Sequence, residues 1–131
     1  IGVQKINYNN WDKNEINNNP FFCPDAAAVE KFKNYLLDLK TNNNSCGALI
    51  ELRVTGVPVG IGEPIYQKLD ANLAFAMMSI NAVKGVEIGD GFALAEMIGS
   101  NAADEMYMDG NANYAFKNNH SGGISGGIST S

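Results

Sequence analysis

Between Val29 and Leu39 the apolar residues Val29, Phe32, Leu36 and Leu39 recur at three- and four-residue steps. That spacing lines one face of a helix and predicts a helix from Asp25 to Lys40. Asp25 has the side chain to cap it, and Glu30, Lys31, Lys33 and Lys40 fall on the wet face. The Asn42–Asn44 run with Ser45 ends it. Upstream, Gly2–Asn7 alternates weakly, as the end of a strand would, and polar Asn9–Pro20 reads as a loop. Pro20-Phe21-Phe22-Cys23-Pro24 is an apolar knot between two prolines. It is expected to be extended, because a residue before proline disfavours the helical region.

After Ala48 the period changes to two. Ile50, Leu52 and Val54 alternate with Glu51, Arg53 and Thr55, predicting a strand over Ala48–Thr55. Gly56, Pro58, Gly60 and Gly62 make a turn-rich connection, and Pro64 suits the first turn of a second helix. Ile65, Leu69, Leu73, Ala76 or Met77, and Ile80 form its stripe, with Ala71 and Ala74 adding small apolar surface for burial on further sides. Val83–Ile88 and Phe92–Ile98 read as strands joined by Gly89-Asp90-Gly91. Gly99–Lys117 is polar and irregular with a turn at Asp109-Gly110-Asn111, and Asn118–Ser131 is a glycine-rich loop. The order strand, helix, strand, helix, strand, strand predicts an α+β layer. A doubly wound parallel sheet fits less well, since the last strands look hairpin-linked.

Composition narrows the picture. A chain of 131 residues fits one domain with a real core. No apolar run approaches the roughly 18 residues of a membrane span. The chain starts at Ile1 without a basic-then-apolar leader and stops inside a glycine run, so it is expected to be an internal piece of a longer protein. A net charge of −5 and a single arginine, Arg53, argue against nucleic acid, whose phosphates need clustered cations. Cys23 and Cys46 have no metal or redox spacing and read as free thiols in a reducing cytoplasm.

Chemistry is sparse. His120 is the sole histidine and reads as a loop residue. No Ser-His-Asp set, metal cluster or catalytic carboxylate pair can be assembled. Glu63, Glu87, Asp90 and Glu96 fit a site or a solvated or capping role equally well. The run Gly122-Gly123-Ile124-Ser125-Gly126-Gly127 has two readings: a backbone surface for a flat or phosphorylated ligand, or a tight loop that binds nothing. Asn81-Ala82 likewise reads as a helix end or as an amide offered to a heteroaromatic ring edge.

Three stretches carry a family resemblance: GVPVGIGEPIYQKL over Gly56–Leu69, MSINAVKGVEIGDGF over Met78–Phe92, and NNHSGGISGGIS over Asn118–Ser129. A weaker one is NPFFCPD over Asn19–Asp25. Together they resemble the central part of chorismate synthases. The resemblance implies a layered β-α-β sandwich, with residues 1–131 a single partial domain of a subunit in a cytoplasmic homotetramer. It implies conversion of 5-enolpyruvylshikimate 3-phosphate to chorismate by 1,4-anti elimination of phosphate, with reduced FMN as cofactor and no metal. On the matching positions it assigns flavin contacts to Asn81, Ala82 and Gly126. It assigns no catalytic residue to this chain: the family's catalytic histidines and arginine-rich substrate segment fall before Ile1, and a catalytic aspartate and further flavin contacts fall beyond Ser131. The isolated chain is therefore expected to be inactive. Three features depart from the family pattern: Ser125 replaces an aliphatic residue, Ser131 replaces a glycine, and Gly99–Lys117 is a few residues longer. Two other classes compete, a ligand-binding domain that lost the chemistry and an Asn-rich structural surface protein.

Overall fold

The computed structural model describes residues 1–111 and 113–130. The chain divides into two compact units, Ile1–Arg53 and Val54–Ser131.

The first unit is built on helix α1, Ala26–Thr41. It starts where the sequence predicts because Asp25 is extended and its carboxylate accepts the Ala27 N–H. Its buried face carries Ala28 and Phe32, which join Cys23 in a core flanked by Ile1, Ile6, Phe21 and Val29. The Phe21 and Phe32 rings meet edge to face with centroids 5.9 Å apart, the arrangement ring quadrupoles favour. The Pro20–Pro24 knot is not uniformly extended. Phe22 has φ +51°, and Asn19 holds the bend: its Oδ1 accepts the Phe21 and Cys23 N–H groups, and its Nδ2 donates to the Glu15 and Cys23 carbonyls. The polar segment before it winds into short 3-10 turns at Tyr8–Asn10 and Lys13–Asn17, begun by Asn7 and Asp12 side chains. Gly2–Asn7 forms no strand.

Ala48–Thr55 forms no strand either. Alternation supplies the two faces of a strand, but the strand itself is made by a hydrogen-bonded neighbour. None pairs with this segment among the described residues, and Leu49, Ile50, Leu52 and Val54 are exposed.

In the second unit, helix α2 spans Leu69–Met78. It starts later than Pro64 because Tyr66 has φ +67° and the Gln67 N–H closes a turn on the Pro64 carbonyl. Leu69, Leu73 and Met77 are half-buried, whereas Ile65, Phe75 and Ile80 are exposed, so the expected burial on more than one side is absent. Val83–Ile88 and Phe92–Ile98 do not pair as strands. Gly89 and Gly91 both have positive φ, and the chain leaves Gly91 as a 3-10 turn, Gly91–Glu96, with the Phe92 N–H on the Glu87 carboxylate.

The strands lie where the sequence reads as loop. Gly99–Lys117 holds the short helix α3, Gly99–Ala102, and an antiparallel hairpin of β1, Met106–Met108, and β2, Tyr114–Phe116. Its register pairs Met106 with Phe116 and Met108 with Tyr114. The glycine-rich segment forms a second hairpin, β3, Ile124–Ser125, with β4, Ile128–Ser129. Helices and small antiparallel ladders together make the described chain a mixed α/β protein.

Candidate functional site

The glycine-rich segment holds buried Gly127 and Ser129, and its glycines have separate tasks. Gly126 and Gly127 sit between the paired residues Ser125 and Ile128 with φ +58° and +79°. A type I′ two-residue hairpin needs positive φ at both positions. The Gly127 carbonyl accepts the Leu69 N–H at 2.7 Å, tying the turn to the start of α2. A Cβ on Gly127 would lie 2.8 Å from Lys68 Cβ, and one on Gly122 would lie 2.7 Å from Gly89 Cα. Those two glycines are required by packing. Around Gly126 a Cβ would meet nothing within 4 Å, and the residue is exposed.

Both ends of the segment are anchored. At the downstream end, Ser129 is buried, accepts the Ile61 N–H at 2.9 Å and donates its hydroxyl to the Pro58 carbonyl at 2.6 Å. At the upstream end, the carboxylate of Asp104 accepts two successive backbone N–H groups, His120 at 2.6 Å and Ser121 at 2.8 Å. Burial opposes the charge on Asp104, but the Ser121 and His120 N–H groups outweigh it and hold the carboxyl below its ordinary range. The His120 ring reaches Asp90, with Nδ1 2.6 Å from Oδ2, and the Asp90 N–H donates to the His120 carbonyl at 2.8 Å.

Asn81 and Ala82 lie three and four residues beyond the end of α2. Ala82 has φ +71°, a conformation that costs roughly 1–2 kcal/mol outside glycine. Both residues are exposed, and the Asn81 amide makes no side-chain hydrogen bond among the described residues. The helix-end reading of Asn81-Ala82 is not met: α2 ends at Met78 with Ser79 as its cap, and Ala82 takes its positive φ in the following turn, where the Val83 N–H donates to the Ile80 carbonyl. Gly127, next to Gly126, borders the first turn of α2, and Asn81-Ala82 follows its last turn. Ten helical residues rise about 15 Å, so the structure sets these positions toward opposite ends of the helix. Along α2 an open cleft is lined by Asp70, Ala71, Ala74, Val86 and Ile88.

Asp104 carries no signal of its own in the sequence, and His120 is not the plain loop residue that its neighbours predict. Asp104 is 16 residues from His120 along the chain, and no local spacing marks the pair. Glu87 has a local task on the Phe92 N–H, while Asp90 reaches His120, 30 residues along the chain. Ser125 is exposed in the hairpin; Ser131 lies outside the described residues. Among the described residues no group of three His, Cys, Asp or Glu could hold a metal, and no helix is long and apolar enough to cross a membrane. Cys23 and Cys46 are free.

These features define a mixed α/β protein with one glycine turn left open on a closely anchored hairpin. The chorismate synthase family model matches residues 1–131. A chorismate synthase of Parvibaculum lavamentivorans is 55% identical over 130 residues, 99% of this chain and 35% of the relative. A chorismate synthase from Rhodopseudomonas palustris is 57% identical over the same share of the chain and 36% of its own length. A chorismate synthase crystal structure superposes with a TM-score of 0.76 at 33% identity, covering 88% of this chain and 35% of that one. The chain belongs to the chorismate synthase family, and it spans about a third of the length of these relatives.

Proposed function

We propose that the full-length protein carrying this chain is a chorismate synthase, acting on 5-enolpyruvylshikimate 3-phosphate in the cytoplasm as a homotetramer. Each subunit would be a layered β-α-β sandwich, with residues 1–131 inside one domain of it. The observation that carries the reading is 55% identity across 99% of the chain to a chorismate synthase. In the reaction a ring C–H bond and the C–O bond to phosphate both break. The proton goes to a base and phosphate departs with the C–O pair, leaving the new double bond with no net redox change.

Reduced FMN, when bound, would supply an electron transiently and take it back. The residues present fit such a group. Asn81 offers a donor and an acceptor to a ring edge, Ala82 keeps that approach small, and Gly126 leaves its backbone uncovered. The alanines and aliphatic side chains of the cleft along α2 suit an apolar ring.

Substrate grip is assigned to the rest of the protein. The substrate carries a phosphate and two carboxylates, and the chain's sole arginine is already engaged. Arg53 pairs with Glu51 and lies over Trp11, 5.0 Å from the ring centroid. The test is anaerobic incubation of the full-length protein with the substrate and reduced FMN. Equal release of phosphate and chorismate, dependent on the flavin, is expected, and no release would refute the reading. The isolated chain should release none; turnover by it would overturn the placement of the catalytic groups elsewhere.

A further inference from the structure

Three bonds immobilise His120. Its N–H donates to Asp104, its carbonyl accepts from the Asp90 N–H, and its ring pairs with the Asp90 carboxylate. Ser121 adds a second N–H to Asp104. Two successive N–H groups converging on one anion form the nest that elsewhere takes a phosphate. Here the anion is the chain's own side chain, so this end of the segment is closed to a ligand phosphate. Directly downstream, Gly122 packs backbone to backbone on Gly89. At the far end Ser129 is fixed to Pro58 and Ile61. The hairpin is thus clamped at both ends, and its open turn at Gly126 has its position set from the two clamps.

We propose that Asp104, with the Asp90–His120 pair, positions the flavin-binding turn. Asp104 fills the nest at His120 and Ser121, fixes the angle at which the hairpin leaves Gly89, and so presents Gly126 in one orientation. The inference rests on the reading that Gly126 meets the flavin. Asp104 is a positioning residue: it contacts the backbone of the segment and acts on the cofactor through it. Asp104→Asn keeps the size of the side chain but replaces one acceptor oxygen with a donor facing a backbone N–H.

The experiment titrates FMN into the full-length protein and its Asp104→Asn, Asp90→Asn and Glu105→Gln variants. Flavin fluorescence gives Kd, the visible spectrum reports the surroundings of the bound ring, and a melt is run without cofactor. Asp104→Asn should raise Kd about tenfold and alter the bound spectrum, and Asp90→Asn should raise it about threefold. Glu105→Gln removes the neighbouring exposed carboxylate, which pairs with Lys117, and should match wild type. Wild-type Kd and spectrum in Asp104→Asn, even with a lowered melting temperature, would overturn the proposal by leaving Asp104 a purely structural role. Should Asp104→Asn fail to fold, Asp90→Asn decides on the same readouts, an unchanged Kd refuting the clamp. Failure of the wild-type protein to take up FMN would instead refute the functional reading itself.

Discussion

Replacing Asp25 by alanine should destabilise the first unit by about 2–4 kcal/mol. Asp25 is 3% exposed, and its carboxylate accepts three hydrogen bonds. They come from the Asn7 N–H at 2.9 Å, the Ala27 N–H at 3.1 Å and the Asn10 amide at 3.4 Å. Loss of the helix cap costs about 1 kcal/mol. Leaving the Asn7 N–H without its acceptor adds about 1–3 kcal/mol. The Asn7 bond is the largest cause of a carboxyl held below its ordinary 3.8. Burial opposes it, and the Asn10, Ala27 and Ala28 groups reinforce it. A value depressed on folding means stability that is fully present above about pH 4 and is lost as pH falls through the lower folded value. The chain's one tryptophan, Trp11, lies in this unit, so its fluorescence during urea unfolding reports the right region. The Asp25→Ala midpoint should fall with an unchanged slope. The gap between wild type and Asp25→Asn should be flat from pH 7 to pH 5 and close below the ordinary aspartate value. A shift under about 0.5 kcal/mol at pH 7 would refute the reasoning, because surface substitutions reach that size. A gap that widens in acid would refute its electrostatic part.

Gly126→Asn should leave the cofactor-free melting temperature within a few degrees of wild type, since Asn-Gly suits a type I′ turn, while raising the Kd for FMN about tenfold in a fluorescence titration. Gly126→Val should weaken binding at least as much and also lose roughly 1–2 kcal/mol of stability, read from the same melt, because a β-branched residue is strained at φ +58°. Ser129→Ala removes the acceptor of the Ile61 N–H and the donor to the Pro58 carbonyl, and should cost about 1–3 kcal/mol by chemical denaturation. Thiol titration in denaturant without reductant should find both Cys23 and Cys46 reactive, as free thiols require.

Helix α1 was legible because its information is local. Val29, Phe32, Leu36 and Leu39 share a face whatever lies opposite, and Asp25 caps with the next residues along the chain. The strands were not, because pairing joins distant segments. The alternation at Ile50, Leu52 and Val54 is real, yet no ladder forms on it among the described residues. Conversely β1 and β2 are only three residues each, lie in polar surroundings and show no alternation of burial. The turn between them was readable: Asp109 Oδ1 accepts the Asn111 and Asn113 N–H groups, as the Asp-Gly-Asn signal implies. Its flanking strands gave no signal of their own. At the candidate site the glycine run stood out by composition and Asn81-Ala82 only by the family resemblance, whereas Asp104 could be found only from the folded chain.

The glycine-rich segment posed a choice between a ligand-binding surface and a tight loop, and the geometry divides the two readings residue by residue. Gly122 and Gly127 stand where any Cβ would collide with Gly89 or Lys68, and Gly62 stands 2.6 Å, measured from its would-be Cβ, from the Leu69 nitrogen. Their lack of a side chain serves close packing and says nothing about a ligand. Gly126 differs: its φ of +58° meets the need of the turn, but no neighbour forbids a side chain there. A turn needing only positive φ at that position accepts asparagine as readily as glycine. Glycine at Gly126 therefore has a use beyond the turn only if something outside the described chain approaches its backbone. Substitutions at Gly62, Gly122 and Gly127 should be read as folding experiments, and substitution at Gly126 as a binding experiment. Loss of flavin affinity in Gly122→Ala would carry no information about the cofactor, because the same change breaks the contact with Gly89 that fixes where the hairpin begins.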